Sequence, residues 1–297
     1  MRFVIAGASG FLGTALRARL ARDGHEVFRL VRGEAVSRNE SGWDPQAGRI
    51  DQDLIDRADV VINLAGAPIA HWPWTPAYQR KIRESRLATT DTLARAVAAS
   101  PASPVLLAQS GIAGYGDRAG EVLTEDSSTP AETMLGRLTR DWEAATLPAA
   151  EAGARVCLMR TAVVLHRSGG MLKPILPVYR LGLGGTLGSG RQYFPTISLH
   201  DWVHAVQFLA GQSSCAGVFN LTGPEPTTNA EFTKELGRLL NRPTVLGVPA
   251  WPIRTLLGGL SGEVLGSIRL EPARLRQAGF VFDHPTLNSR LAAALSS

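Results

Sequence analysis

A glycine-rich segment, Gly7-Ala8-Ser9-Gly10-Phe11-Leu12-Gly13, follows the apolar run Phe3-Val4-Ile5-Ala6 and leads into an amphipathic stretch over residues 11–20. That order of buried strand, bare turn and helix constrains the chain more than any other feature. Glycine removes the side chains that would hold a ligand away from the backbone, and the following helix aims its first N–H groups and positive dipole end at the turn. Such a turn suits a pyrophosphate. Three glycines at this spacing mean little alone in a chain that holds 31 of them. A second apolar strand at 26–31 gives them context, because it closes a β-α-β unit of about 30 residues, the size a dinucleotide fold requires. A tight strand-to-helix turn with no ligand is the plainer alternative.

The end of the second strand carries the next piece of information. A unit of this kind that binds NAD places an Asp or Glu there to accept hydrogen bonds from the ribose 2′-hydroxyl. Here the residues are Leu30-Val31-Arg32-Gly33. A permanently charged, planar guanidinium matches a 2′-phosphate, so Arg32 favours NADP(H) over NAD(H). The alternative is a solvated arginine, since Lys81, Lys173 and Lys234 are the only lysines among 31 basic residues.

Composition sets outer bounds. With 297 residues, 44% hydrophobic and 19% charged, the chain can bury one large core or two smaller ones. The net charge of +5 is spread without a basic run, so neither nucleic acid nor a membrane is an expected partner. Cys157 and Cys215 stand far apart without metal-ligand spacing, which fits a reducing, cytoplasmic setting. With the first strand expected at the first residues, no signal peptide is expected, and no apolar run reaches spanning length.

Further along, strands at 58–64, 105–108 and 156–159 alternate with helical stretches at 76–99 and 132–152. This is the pattern of a Rossmann-type doubly wound parallel sheet, an α/β fold. Beyond Leu165 the rhythm changes. The segment 182–190 is too glycine-rich for a helix, 201–210 reads as a helix, and 217–221 returns to the sheet. Thr228 and Glu231 form a capping box for a helix running to Leu240. The expected organisation is a nucleotide-binding domain from 1–165 and 196–222. A smaller α+β substrate lobe takes 166–195 and 223–297.

Several segments together resemble a known family. Gly7, Gly10 and Gly13 are joined by Asn63-Leu64-Ala65-Gly66, Trp74-Thr75, Lys81-Ile82, Ser85-Arg86 with Thr89, and Asp141-Trp142-Glu143. Further on come Gly184-Gly185-Thr186-Leu187-Gly188-Ser189-Gly190 with Gln192, and Glu271-Pro272-Ala273-Arg274-Leu275 with Gly279-Phe280-Val281-Phe282 and Pro285-Thr286-Leu287. In this order they resemble the extended short-chain dehydrogenase/reductases, in particular an atypical epimerase-like branch with a C-terminal domain of unknown function. The resemblance spans nearly the whole chain. It implies an NADP(H)-dependent oxidoreductase or epimerase acting on a hydroxyl or carbonyl of a small molecule, such as a nucleotide sugar. A homodimer is one assembly it allows.

The same resemblance assigns cofactor contacts to Gly7, Ser9, Gly10, Phe11, Leu12, Gly13 and Arg32, and to Leu64, Ala65 and Gly66 beside the adenosine and ribose. Lys81 and Arg86 would meet phosphate or ribose oxygens, unless they are ordinary helix-surface charges, and Val163 would lie near the nicotinamide. In the parent family a Ser and a Tyr hold the reacting oxygen while a Lys four residues after the Tyr lowers its pKa. Ser110 stands at the Ser position; its alternative role is to cap local backbone. Counting back from Glu143, the Tyr and Lys positions hold Leu135 and Thr139, and the chain contains no Tyr-xxx-Lys. Tyr115 is the candidate replacement, with aromatic packing as its alternative.

His200 and His204 sit at i and i+4 on one helix, as in a zinc hydrolase. No third ligand is visible, so no metal is expected, and Asp201 resembles a family residue that tethers two lobes. A substrate pocket is expected between the lobes at 182–190, Arg191 and Tyr193, where Arg160 and Arg191 would suit an anionic group and Trp72 and Trp74 an apolar one. The alternative to an enzyme is an NADP(H)-binding sensor or scaffold without catalysis.

Overall fold

The computed structural model describes residues 1–69, 71 and 73–296. Trp72 lies outside them. The first strand, β1 (Arg2–Ala6), is buried along nearly its whole length and runs parallel to β2 (Glu26–Arg32) on one side and β4 (Val60–Asn63) on the other. β2 continues to β3 (Glu40–Trp43), and β4 to β5 (Val105–Gly111), each pair again parallel. With Val156–Thr161 and Gly217–Leu221 these make a sheet of seven strands, in the order Gly217–Leu221, Val156–Thr161, β5, β4, β1, β2, β3. The chain turns outward from β1 in both directions, which is the Rossmann-like arrangement that opens a crevice at the carboxyl ends of the central strands.

The chain divides into two compact units. The first comprises residues 1–110, 138–159 and 206–218. Its core is made by strand residues such as Val4, Val61 and Leu106 meeting Leu93 and Val97, all fully buried. After the helices α1 (Phe11–Arg22) and α2 (Gln52–Asp56), the long helix α3 (Pro76–Ala99) carries Leu93 and Val97 and starts on two local signals. The Thr75 hydroxyl accepts from the Tyr78 N–H, and Pro76 occupies the first turn, where its missing N–H costs nothing. Sequence reading expects one helix over 132–152, but the chain forms α4 (Met134–Ala144) and then a short helix at Leu147–Glu151. Pro148 is the cause, because its ring cannot continue the preceding turn.

The second unit comprises residues 111–137, 160–205 and 219–297. Val163–His166 pairs parallel with Thr196–Ser198 and antiparallel with Gly169–Gly170. Leu165 on this sheet packs in one cluster with Leu172, Leu176, Phe232, Leu236 and Leu291 from the surrounding helices. The expected capping box is present: the Thr228 hydroxyl accepts from the Glu231 N–H and the Glu231 carboxylate from the Thr228 N–H, starting the helix Asn229–Leu240. Within the glycine-rich 182–190 segment, Gly185–Leu187 is a strand paired with Leu246–Val248. Among the described residues, no helix is long and apolar enough to cross a membrane.

The opening glycines differ in what they require. Gly7 has φ +78°, and a Cβ there would stand 2.6 Å from the Leu64 carbonyl carbon. A Cβ on Gly13 would run into the Gly7 carbonyl oxygen and come 2.7 Å from the Ala8 Cα, whereas on Gly10 its nearest neighbour, the same oxygen, is 3.3 Å away. Gly7 and Gly13 therefore set how closely helix, turn and β4 pack. Gly13→Ala is expected to cost ~1–3 kcal/mol of stability in denaturant unfolding, as overpacking against backbone does. Gly10→Ala should cost clearly less; equal stabilities for Gly13→Ala and the natural chain would contradict this packing account.

Candidate functional site: a crevice at the carboxyl edge of the sheet

Within the first unit, a crevice of about 1180 Å³ opens at the carboxyl ends of β1, β2 and β4. Its floor is the Gly7–Gly10 turn. The helix α1 (Phe11–Arg22) begins there on Gly10, which supplies no side-chain cap, and its first turn has no acidic residue. The orphan N–H groups of that turn and the helix dipole thus face the crevice without a competing carboxylate. Gly7, Ser9 and Gly10 line it directly, while Gly13 is buried in the packing of the turn and Phe11 and Leu12 are half-buried at the start of the helix.

Arg32 and Gly33 form part of the wall at the end of β2. On the same strand Arg29 is ion-paired with Glu40. Arg32 is exposed and has no ion-pair partner among the described residues, so its charge is available to an anion. The opposite wall is the turn after β4, with Leu64, Ala65 and Gly66, and Lys81 from α3. Trp43 at the end of β3 and Asp44 and Gln46 just beyond it also line the crevice, where no local sequence signal points to them. The strand that carries Trp43, Glu-Ser-Gly-Trp, lacks the apolar run that marked the other strands.

The turn after β4 is fixed from below by side chains of α3. Asn63 is fully buried; its amide donates to the Thr90 hydroxyl at 2.8 Å, and its oxygen accepts from the Ala65 N–H at 3.0 Å. The Ser85 hydroxyl accepts from the Ala67 N–H at 3.0 Å, and Thr89 hydrogen-bonds the Ser85 carbonyl at 2.9 Å. Trp142 on α4 donates its indole N–H to Thr90 at 2.8 Å. The Asn63, Ser85, Thr89 and Trp142 motifs are therefore one hydrogen-bonded support under a crevice-lining loop.

Arg86 belongs to that support and not to the crevice wall. It is 7% exposed, donates to the Ala67 and Ile82 carbonyls at 3.0 and 3.1 Å, and lies 5.0 Å over the Trp142 ring. Burial pulls its pKa down to about 10. A Cβ on Gly66 would touch its guanidinium at 3.2 Å, so the glycine lets the turn rest on the arginine. Lys81 alone of the two expected cations reaches the crevice.

Ser110 sits near the carboxyl end of β5, two residues beyond Ala108, which pairs with Asn63 on β4. Its hydroxyl donates to the Glu143 carboxylate on α4 at 2.7 Å. In the sequence Glu143 stands as part of a motif and as the anchor for the Tyr and Lys positions; no local signal links it to a serine 33 residues earlier. Leu135 and Thr139, at the Tyr and Lys positions, are both buried.

Tyr115 lies in the second unit and is fully buried. Its hydroxyl donates to the Asn220 side-chain oxygen at 2.8 Å and accepts from Arg160 at 2.9 Å, and burial raises its pKa above the ordinary phenol value. Asn220 donates onward to the Glu271 carbonyl, and Glu125 accepts from the Asn220 and Arg274 N–H groups. Tyr115 and Arg160 are thus part of the scaffold that seats the Glu271-Pro272-Ala273-Arg274 motif. Val163, also in the second unit, is half-buried against its core.

Comparison with known proteins agrees with this architecture. Residues 3–166 match the NAD dependent epimerase/dehydratase family, and residues 248–294 match a domain of unknown function, DUF1731. The chain is 42% identical over 291 residues to the epimerase family protein Mb2239 of Mycobacterium bovis, covering 98% of this chain and 96% of that one. The crystal structure of human epimerase family protein SDR39U1 (isoform 2) with NADPH is similar over 100% of both chains, with a TM-score of 0.90 and 30% identity. The nucleoside-diphosphate sugar epimerase of Corynebacterium glutamicum has a TM-score of 0.80 and 31% identity over 99% of this chain and 58% of its own. The chain belongs to the NAD dependent epimerase/dehydratase family.

Proposed function

We propose that the chain binds NADP(H) in this crevice and acts on a hydroxyl or carbonyl group of a small molecule, a nucleotide sugar being the leading class. The observation that carries the cofactor reading is the pairing of a capless helix N-terminus with an uncompensated Arg32 on the same crevice. The donor set fits the group: backbone N–H groups for the pyrophosphate, Arg32 for a 2′-phosphate, and the Leu64–Gly66 backbone for the adenosine and ribose. The NADPH in the human relative and the sugar epimerase among the similar structures support the same reading. A cytoplasmic setting fits the free, buried Cys157 and Cys215.

When bound, NADP(H) supplies or accepts a hydride. The protein must then manage one proton. Ser110, buried and outside the crevice lining, directs its own proton onto Glu143, which orients its oxygen lone pairs for a hydrogen bond from a substrate hydroxyl. As that hydroxyl is oxidised, its proton passes to Ser110 while the serine proton moves to Glu143; reduction of a carbonyl runs the relay backwards. This Ser-Glu pair takes the place of the missing Tyr and Lys, and Tyr115 holds the second unit's scaffold. A non-catalytic NADP(H) sensor is the second reading, favoured by the buried Leu135 and Thr139 where the family's chemistry would sit.

Two outcomes are expected. By calorimetry the chain binds NADPH more tightly than NADH, and Arg32→Ala weakens NADPH about tenfold to a hundredfold, the range for a charged hydrogen bond worth ~1.5–3 kcal/mol, while NADH changes little. Equal affinities for the two in the natural chain would refute the assignment of Arg32. In a panel of nucleotide sugars and carbonyl compounds followed by NADPH fluorescence, Ser110→Ala and Glu143→Gln should each lower turnover about 100-fold or more with NADPH affinity retained. Binding without turnover across the panel would favour the sensor.

A further inference from the structure

The helix Leu199–Gly211 carries His200 and His204 one turn apart, with ring centroids 4.0 Å from each other. A third donor reaches them from a distant part of the same unit. The Asp283 Oδ2 lies 2.8 Å from His200 Nε2 and 3.0 Å from His204 Nδ1, and the three donor atoms fall within 4.8 Å of one another. Two imidazoles and one carboxylate are a ligand set for a borderline transition metal. We propose that His200, His204 and Asp283 bind a divalent zinc-class ion, with water completing a tetrahedral site.

Three features argue for a built site over a chance meeting of surface side chains. Asp201 is fully buried, and its two carboxylate oxygens accept from the Asp283 and His284 N–H groups at 3.0 and 3.1 Å. That holds the backbone of the third ligand against the helix bearing the other two. The Ser198 hydroxyl shares a hydrogen bond with His284 Nδ1 at 2.9 Å and accepts from the Asp201 N–H, so the pinning loop is itself tied at both ends.

The second feature is spacing. Tetrahedral zinc with bonds near 2.0–2.2 Å holds its ligand atoms about 3.3 Å apart, so the two His–Asp contacts need to open by only a few tenths of an ångström. The third is access: the side chains of His200, His204 and Asp283 are 44%, 26% and 50% exposed, leaving a path for the ion and room for water. The helix start disfavours a cation through its dipole, and the Asp201 and Asp283 carboxylates offset that. Magnesium and calcium prefer all-oxygen sites and are not expected to compete.

The test is calorimetric titration of the untagged, metal-stripped chain with Zn²⁺. One ion per chain is expected, with affinity falling tenfold or more in both His204→Gln and Asp283→Asn, and unaffected by excess Mg²⁺. Substitution with Co²⁺ should give the intense visible bands of a tetrahedral ion in the natural chain and lose them in both variants. Far-UV circular dichroism of the variants establishes that they are folded. No stoichiometric binding, binding that survives in folded variants, or displacement by Mg²⁺ would overturn the proposal.

Discussion

The crevice depends on the close approach of the Gly7 backbone to the Leu64 carbonyl. Any side chain at Gly7 would collide with it, and any at Gly13 would push the turn off its helix. Because β1 and β4 are hydrogen-bonded neighbours, that approach fixes the two loops that form the floor and wall of the crevice. The crevice geometry therefore follows from two absent side chains, and both lie in the first 13 residues.

What holds the wall is a polar network in a place where polarity is costly. Asn63, Thr90 and Trp142 are buried and mutually hydrogen-bonded, and Arg86 is buried beneath the same turn. Leaving one member of such a network unpaired costs about 1–3 kcal/mol, so it specifies one loop conformation in a way an apolar support would not. The second unit repeats the strategy with Tyr115, Arg160, Asn220 and Glu125 beneath the C-terminal motif. In both places, sequence motifs that look like ligand contacts turn out to position backbone.

The central strands, the glycine turn and the available Arg32 were legible in the sequence because apolar runs and glycine spacing are local. β3 was not, since Glu-Ser-Gly-Trp turns only Trp43 into the core. Arg86 reads in the sequence as a cofactor contact, because nothing local tells a guanidinium buried under a loop from one facing a ligand. The long-range pairs were out of reach altogether. Glu143 meets Ser110 across 33 residues, and Asp283 meets His200 across 83. The histidine pair was visible, but its third donor comes from a strand-poor C-terminal segment that no spacing rule connects to it.

We propose that the glycine turn, Arg32 and the turn after β4 act together as one NADP(H) site. Amide hydrogen exchange with and without NADPH reads the backbone that would hold the ligand. Protection by NADPH confined mainly to residues 7–13, 32–33 and 64–67 is the expected result. Saturating NADPH that leaves those three segments unchanged would contradict the account.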